Sequence, residues 1–393
     1  MRFASALSTS TSSREALEQA CRDAADQIQG EPIHLALLFL SQHHEKHFEE
    51  IARGIRERFR PETFLGCTAG GVIGKDREVE NRAGLTLWLA SLPGERVRPF
   101  HLRFDPEEKE VRGWPETMPA PSDKPAFLLL PDPFTTPADD ILEKLNHDYA
   151  GAPVFGGMAS GAMMPGQNRL FLNEEIFEEG AVGAVLTGPA EIRTVVSQGC
   201  RPVGKPLVIT QGEKNVIQTL GGQPALKKLQ EVFAALSPAD QQLFQRGLHV
   251  GRVVNELQQS FRRGDFIVRN VMGIDSESGA IAIGDFVRKG QTVQFHVRDA
   301  DSAREDLKLL LSREKQEGQF REAASGALLF SCNGRGVHLF GEPNCDVGAV
   351  REILGALPVA GFFAQGEIGP IGGRNFLHGF TASLAIFSEP ALP

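Results

Sequence analysis

Five cysteines in 393 residues (Cys21, Cys67, Cys200, Cys332 and Cys345) are too few and too scattered for a disulfide framework, and no CxxC pair occurs. That spacing argues against zinc-ribbon and thioredoxin chemistry and for reduced thiols in a cytoplasmic protein. No apolar run approaches the roughly 20 residues needed to span a bilayer. The opening MRFASALSTSTSS has one basic residue and no continuous apolar stretch, so a signal peptide is not expected. Lysine and arginine never cluster with aromatics, and the net charge is -9. Neither a nucleic-acid partner nor a membrane is therefore expected. The glycine turns GCTAGG and GFFAQGE lack the lysine of a phosphate-binding loop. Asp275 in GIDSESG lacks the spacing of a calcium loop, and reads as a hairpin. His43, His44 and His47 lack a third metal ligand, and read as a solvated helix start.

The chain is long enough for two domains, read here as residues 1–205 and 206–393 with the break in the Gly/Pro-rich stretch QGCRPVGKP. Helical faces recur at Leu17–Ile28, Phe48–Phe59, Leu226–Leu236 and Leu307–Leu311. Ser12 with Glu15, and Ser302 with Glu305, fit capping boxes. Thr292–Val297 alternates as a half-buried strand, one of several strand candidates between Arg246 and Arg298.

One pattern occurs three times: an apolar strand, a helix, a second strand ending in a small-residue glycine turn, then a further strand. The copies run through HLALLFL to LGCTAGG, AFLLL to VFGGMASG, and GALLFS to VAGFFAQGE. Leu40 precedes Gly66 by 26 residues, Leu130 precedes Gly156 by 26, and Ser331 precedes Gly361 by 30. A helix between two strands predicts parallel, right-handed pairing. The later glycine-turn segments are short enough for hairpins. The expected fold class is α/β, with mixed sheets, packed helices, two domains and recurring β-α-β-turn-β units.

The third copy carries the most specific residues. ALLFSCNGRG, then GFFAQGEIGP, then LHGFTASLAIF resemble the C-terminal half of the FIST family. GCTAGG with its preceding strand and helix is similar to the N-terminal half. The resemblance runs from about Phe3 to about Phe387. It implies a two-part sensory module that binds a small ligand, such as an amino acid, in signal transduction. It also implies a separate protein as output partner, since no kinase, cyclase or F-box segment is present. Some relatives serve as protein-recognition modules and others as haem-binding nitric-oxide sensors, so a scaffold and a haem sensor stand as alternatives.

The expected ligand site lies where glycine turns leave strand ends: Cys67, Thr68 and Gly70; Gly157 and Ser160; Cys332, Asn333, Arg335, Gly366, Glu367 and His378. Arg335 either grips an anion or ties its loop to Glu367. Glu367 either receives a ligand ammonium group or is satisfied by backbone N–H groups. Cys67 and Cys332 read as small thiols at strand ends, because no sequence signature supplies a base to activate them. His378 is a structural imidazole or, with haem, an axial ligand. No catalytic constellation emerges, so a non-enzymatic protein without metal or obligatory cofactor is expected.

Overall fold

A computed structural model describes residues 1–258, 260–317 and 324–389. Each of the three predicted units forms as read. The lead strands Leu35–Ser41, Ala126–Pro131 and Ala324–Cys332 are followed by helices Phe48–Phe59, Ala138–Asp148 and Cys345–Leu354. The second strands Thr63–Ala69, Val154–Gly157 and Val359–Ala364 then pair parallel with their own lead strands. Leu38, Leu129 and Leu329 stand opposite Gly66, Gly156 and Gly361. A Cβ on any of these glycines would lie 1.7–2.0 Å from the facing leucine carbonyl oxygen. Only glycine permits that backbone approach, which is why it recurs.

The strands after the turns form the short hairpins expected, and the first arm of each also crosses to another copy. Gly71–Gly74 pairs antiparallel with the second strand of copy three, Glu367–Ile371 with that of copy two, and Leu170–Leu172 with that of copy one. The return strands Leu85–Ser91, Ala181–Thr187 and Thr381–Ser388 flank the lead strands on the other side. Each sheet therefore has the order outer, return, lead, second, crossing, hairpin strand, with one further strand on the copy-two sheet. The hairpin strands include Arg77–Glu80, and the outer strand of copy three is Glu191–Gln198. Hydrogen bonding fixes the exchange, since any strand left at a sheet edge would expose a row of unpaired groups.

The inner faces of all three sheets meet in one core. Phe39 and Trp88 of copy one, Phe155 of copy two, and Phe330, Phe362 and Phe387 of copy three lie together in it. Phe39 touches Phe362 at 4.9 Å between centroids, and Phe155 touches Phe387 at 6.1 Å. The helices cover the outer faces, each with its own apolar cluster.

Two compact units result, and they do not follow a single cut in the chain. The first holds Met1–Val196, Leu307–Leu377 and Thr381–Pro393, and so contains all three copies; the second holds Ser197–Asp306 with His378–Phe380. In chain order, residues 197–306 fall between the outer and lead strands of copy three. Of QGCRPVGKP, expected as a low-propensity connection, Gln198 ends the strand Glu191–Gln198 and the residues from Cys200 onward lie in the 14-residue strand Cys200–Glu213. Its Pro206 sits where pairing with Thr292–Arg298 is interrupted between Val203 and Leu207, a break that needs no N–H from proline. The same strand pairs further along with Val216–Leu220, so the sheet of the second unit closes on itself. Ser12 caps its helix through Glu15 N. Ser302 does not cap: its helix begins at Ala300, and its hydroxyl bonds Asp299 instead. His44 is buried rather than solvated, with Nδ1 at 3.0 Å from Ser13 Oγ.

Candidate functional site

The three glycine turns converge inside the first unit. Ser160 N and Gly161 N donate to Thr68 O at 3.2 and 3.3 Å. Gly70 N donates to Ser160 Oγ at 3.0 Å, and that hydroxyl donates to Phe363 O. Met158 N donates to Gly366 O at 2.8 Å, and Asn333 N to Ala364 O at 2.9 Å. A Cβ on Gly157 would lie 2.8 Å from that of Ala364. Of the predicted residues, Thr68, Gly70, Gly157, Ser160, Asn333 and Gly366 are thus brought into one hub. Each turn follows the carboxyl end of a strand paired parallel with its lead strand, the usual place for ligands on parallel sheets.

Cys67 lies behind the hub in the core, and burial pushes its thiol well up. Behind Thr68 runs a polar relay. Thr68 Oγ1 donates to Asn168 Oδ1 at 3.3 Å, and Asn168 Nδ2 donates to Asp132 Oδ1 at 2.9 Å. Asp132 also accepts from Phe134 N, Thr135 N and Thr135 Oγ1.

The third copy replaces such quiet groups with charge. Arg335 is fully buried and meets Asp346 through two bonds, Nε to Oδ2 at 2.8 Å and Nη2 to Oδ1 at 2.7 Å. Ser331 Oγ adds a bond to Asp346 at 2.7 Å. Burial disfavours the Arg335 charge, but the pull of Asp346 outweighs it and its pKa is raised. The partner of Arg335 is therefore Asp346, not the Glu367 suggested by sequence. Glu78 Oε1 accepts from Asp346 N and Val347 N at 2.9 Å each, capping the copy-three helix from the copy-one hairpin. Burial and the nearby Asp346 push the Glu78 carboxyl up to about 7. Glu80 accepts from Val337 N, and burial raises it too.

Glu367 is buried, with Oε2 accepting from Thr381 N at 3.0 Å and Thr381 Oγ1 at 2.8 Å. Its Oε1 takes no bond from nitrogen or oxygen among the described residues. Burial drives it up to about 8, which Thr381, Arg335 and the Cys332 thiol offset only in part. Cys332 is half-buried, and none of the five cysteines is in a disulfide. His378 is buried and belongs to the second unit. Glu78, Glu80 and Asp346 escaped sequence reading. Nothing in the short strand Arg77–Glu80 points to a helix that Glu78 meets 268 residues later.

Beside the hub lies a cavity of about 600 Å³, opening where the second turn passes the end of the copy-one lead strand. Its walls include Gln42, Glu45, Lys46, Gly161, Ala162, Met163 and Arg169. Gly161 packs against Thr68, leaving no room for a Cβ. Lys46 and Arg169 supply positive charge and Glu45 negative charge at one small opening. Among the described residues no cluster of three or more metal-ligating side chains occurs. Haem would need an imidazole opening into a roomy apolar pocket. His378 is 4% exposed and lines neither this cavity nor a second one of about 460 Å³ near Arg351. The residues present do not fit haem.

Comparison with known proteins agrees with the motifs. Residues 34–223 match the FIST N domain and residues 225–370 the FIST C domain. The uncharacterized protein Rv0628c of Mycobacterium tuberculosis is 39% identical over 391 residues, covering 99% of this chain and 100% of the relative. The uncharacterized protein Mb0898c of Mycobacterium bovis is also 39% identical, covering 99% of each chain. Among the described residues no helix is long and apolar enough to cross a membrane.

Proposed function

The chain belongs to the FIST family, and we propose that it is a non-catalytic, cytoplasmic sensory protein that binds a small zwitterion, an amino acid, and reports to a separate signalling protein. The observation that carries this reading is the cavity beside the turn hub. Its Lys46 suits a carboxylate, with Arg169, which Glu178 also holds at 2.9 Å, adding positive charge; its Glu45 suits an ammonium group, and Gln42 offers a neutral amide. Arg335 and Glu367 then support the hub instead of touching ligand, since both are fully buried and Arg335 is engaged by Asp346.

The signal path in this reading is short. The loop Gly157–Arg169 forms one wall of the cavity and bonds the other two turns through Ser160. A ligand that orders this loop would tighten all three copies at once. Calorimetric titration of the intact chain with the twenty amino acids tests the proposal. At least one should bind saturably and raise the melting temperature by mass action. The pair Lys46→Ala and Arg169→Ala should weaken that binding at least tenfold. Absence of binding by every member, or binding indifferent to the pair, contradicts it.

A further inference from the structure

Of the five thiols, Cys21, Cys67 and Cys200 are buried, and burial pushes Cys21 up to about 11 and Cys67 well above the usual thiol range. Cys332 and Cys345 keep partial exposure. Their surroundings differ. Cys345 Sγ lies 3.7 Å from Glu342 O and 3.8 Å from Glu342 Oε1, where carboxylate charge disfavours a thiolate. Cys332 lies near the Arg335 guanidinium, and each favours the charged form of the other.

Cys332 ends the copy-three lead strand and stands opposite Ala364, which ends the second strand. Phe330 turns into the shared core, so strand alternation turns Cys332 to the same side, at the end where the turns converge. Arg335 N donates to Cys332 O at 2.7 Å and closes the loop that brings the guanidinium back. The partial exposure of Cys332, with Asn333 exposed beside it, leaves this strand end open to small solutes.

Glu367 stands just past Ala364, across the turn. Its Oε2 accepts from both Thr381 N and Thr381 Oγ1, so the proton that burial keeps on this carboxyl up to about 8 sits on Oε1. Oε1 is buried and has no nitrogen or oxygen partner among the described residues. The Cys332 thiol hydrogen-bonds the same carboxyl. A thiol, a proton donor and a fixed cation thus meet at one strand end. Buried polar atoms are nearly always hydrogen bonded, and an oxygen added to Cys332 would give Oε1 the oxygen partner it lacks.

We propose that Cys332 is a site of reversible oxidation by hydrogen peroxide, at which Glu367 protonates the departing oxygen. The sulfur attacks one peroxide oxygen, and the S–O bond forms as the O–O bond breaks. Sulfur loses two electrons and the peroxide gains them. Glu367 Oε1 gives its proton to the departing oxygen, which leaves as water, and the thiol proton replaces it on Glu367. The product is a sulfenic acid, which small thiols can return to the thiol. Arg335 holds the sulfur's negative charge during attack. The reaction is stoichiometric and uses none of the cavity near Lys46.

Treating the intact chain with hydrogen peroxide at pH 7, trapping sulfenic acid with dimedone and reading the peptides by mass spectrometry tests the assignment. Cys332 should be trapped roughly tenfold or more faster than Cys345. Glu367→Gln keeps an acceptor for Thr381 but has no proton to give. It should slow peroxide oxidation of Cys332 roughly tenfold or more, yet leave its alkylation by iodoacetamide unchanged, because iodide departs without a proton. In the parent chain the ratio of the two Cys332 rates should fall as pH rises through about 8, a readout that stands even if the variant does not fold. Oxidation of Cys332 no faster than that of Cys345, a variant that slows both reagents alike or neither, or a ratio flat through that pH range overturns the proposal.

Discussion

At the end of its second strand, copy one places Thr68, and copy two answers with Ser160 and the Asn168–Asp132 pair, all short neutral or singly charged groups bonded to backbone. Copy three places Arg335, Asp346 and Glu367 around the equivalent end, with Glu78 and Glu80 arriving from copy one. The backbone of the three copies is the same down to the glycine opposite leucine. What the fold demands of each copy is thus a close strand approach and an exchanged strand. The side chains past the turn are free to differ, and among the described residues it is copy three that uses that freedom to bury an ion pair.

The largest effect is expected where the copies are alike. Gly66→Ala, Gly156→Ala and Gly361→Ala each drive a methyl group into a carbonyl oxygen. Each should cost more than about 4 kcal/mol, seen as loss of soluble protein or of a cooperative urea transition. Tolerance in one copy alone would break the equivalence.

Next come the differences. Arg335→Met strands Asp346 in the core and should cost about 3–5 kcal/mol in chemical denaturation. Thr68→Val in copy one loses bonds to Asn168 and Arg169 N and should cost about 1–3 kcal/mol. Equal losses would mean that the ion pair holds no special place. The double variant Arg335→Met/Asp346→Leu should recover much of the single loss, as paired apolar replacement does.

A separate effect is the pH dependence. Glu367 and Glu78 hold their protons up to about 8 and about 7 in the fold, against about 4.3 when unfolded. The folded chain then binds more protons than the unfolded chain between these values. Stability from this source is complete below about pH 4 and is lost as pH rises through 7 to 8. The urea midpoint should fall from pH 5.5 to 9, and fall less in Glu367→Gln. A midpoint that rises over this range would place the charged forms, not the neutral ones, in the fold.

Local signals carried the sequence reading far. The alternation of strand and helix, the three glycines and the small residues of the turns were all visible, because each is decided within a few residues. The second partner of a crossing strand was not: Gly71–Gly74 is the arm of a local hairpin with Arg77–Glu80, but its pairing with Val359–Ala364 on the other side depends on residues almost 300 positions later. The same distance hid Glu78 and Glu80 as caps. Arg335 was picked out by its glycine-flanked loop, but Asp346 beyond it had no pattern to mark it. Nor could composition show that residues 197–306 interrupt the third copy, since glycine and proline in QGCRPVGKP mark a strand break as readily as a domain end.

In the function proposed above, a small zwitterion occupies the cavity where the second turn meets the copy-one lead strand. Hydrogen–deuterium exchange of the intact chain, with and without the amino acid found by titration, tests it most directly. Peptides covering Gln42–Phe48 and Gly157–Arg169 should gain protection together, and lose that gain in the Lys46→Ala/Arg169→Ala pair. Protection absent from both segments at saturating ligand would contradict it.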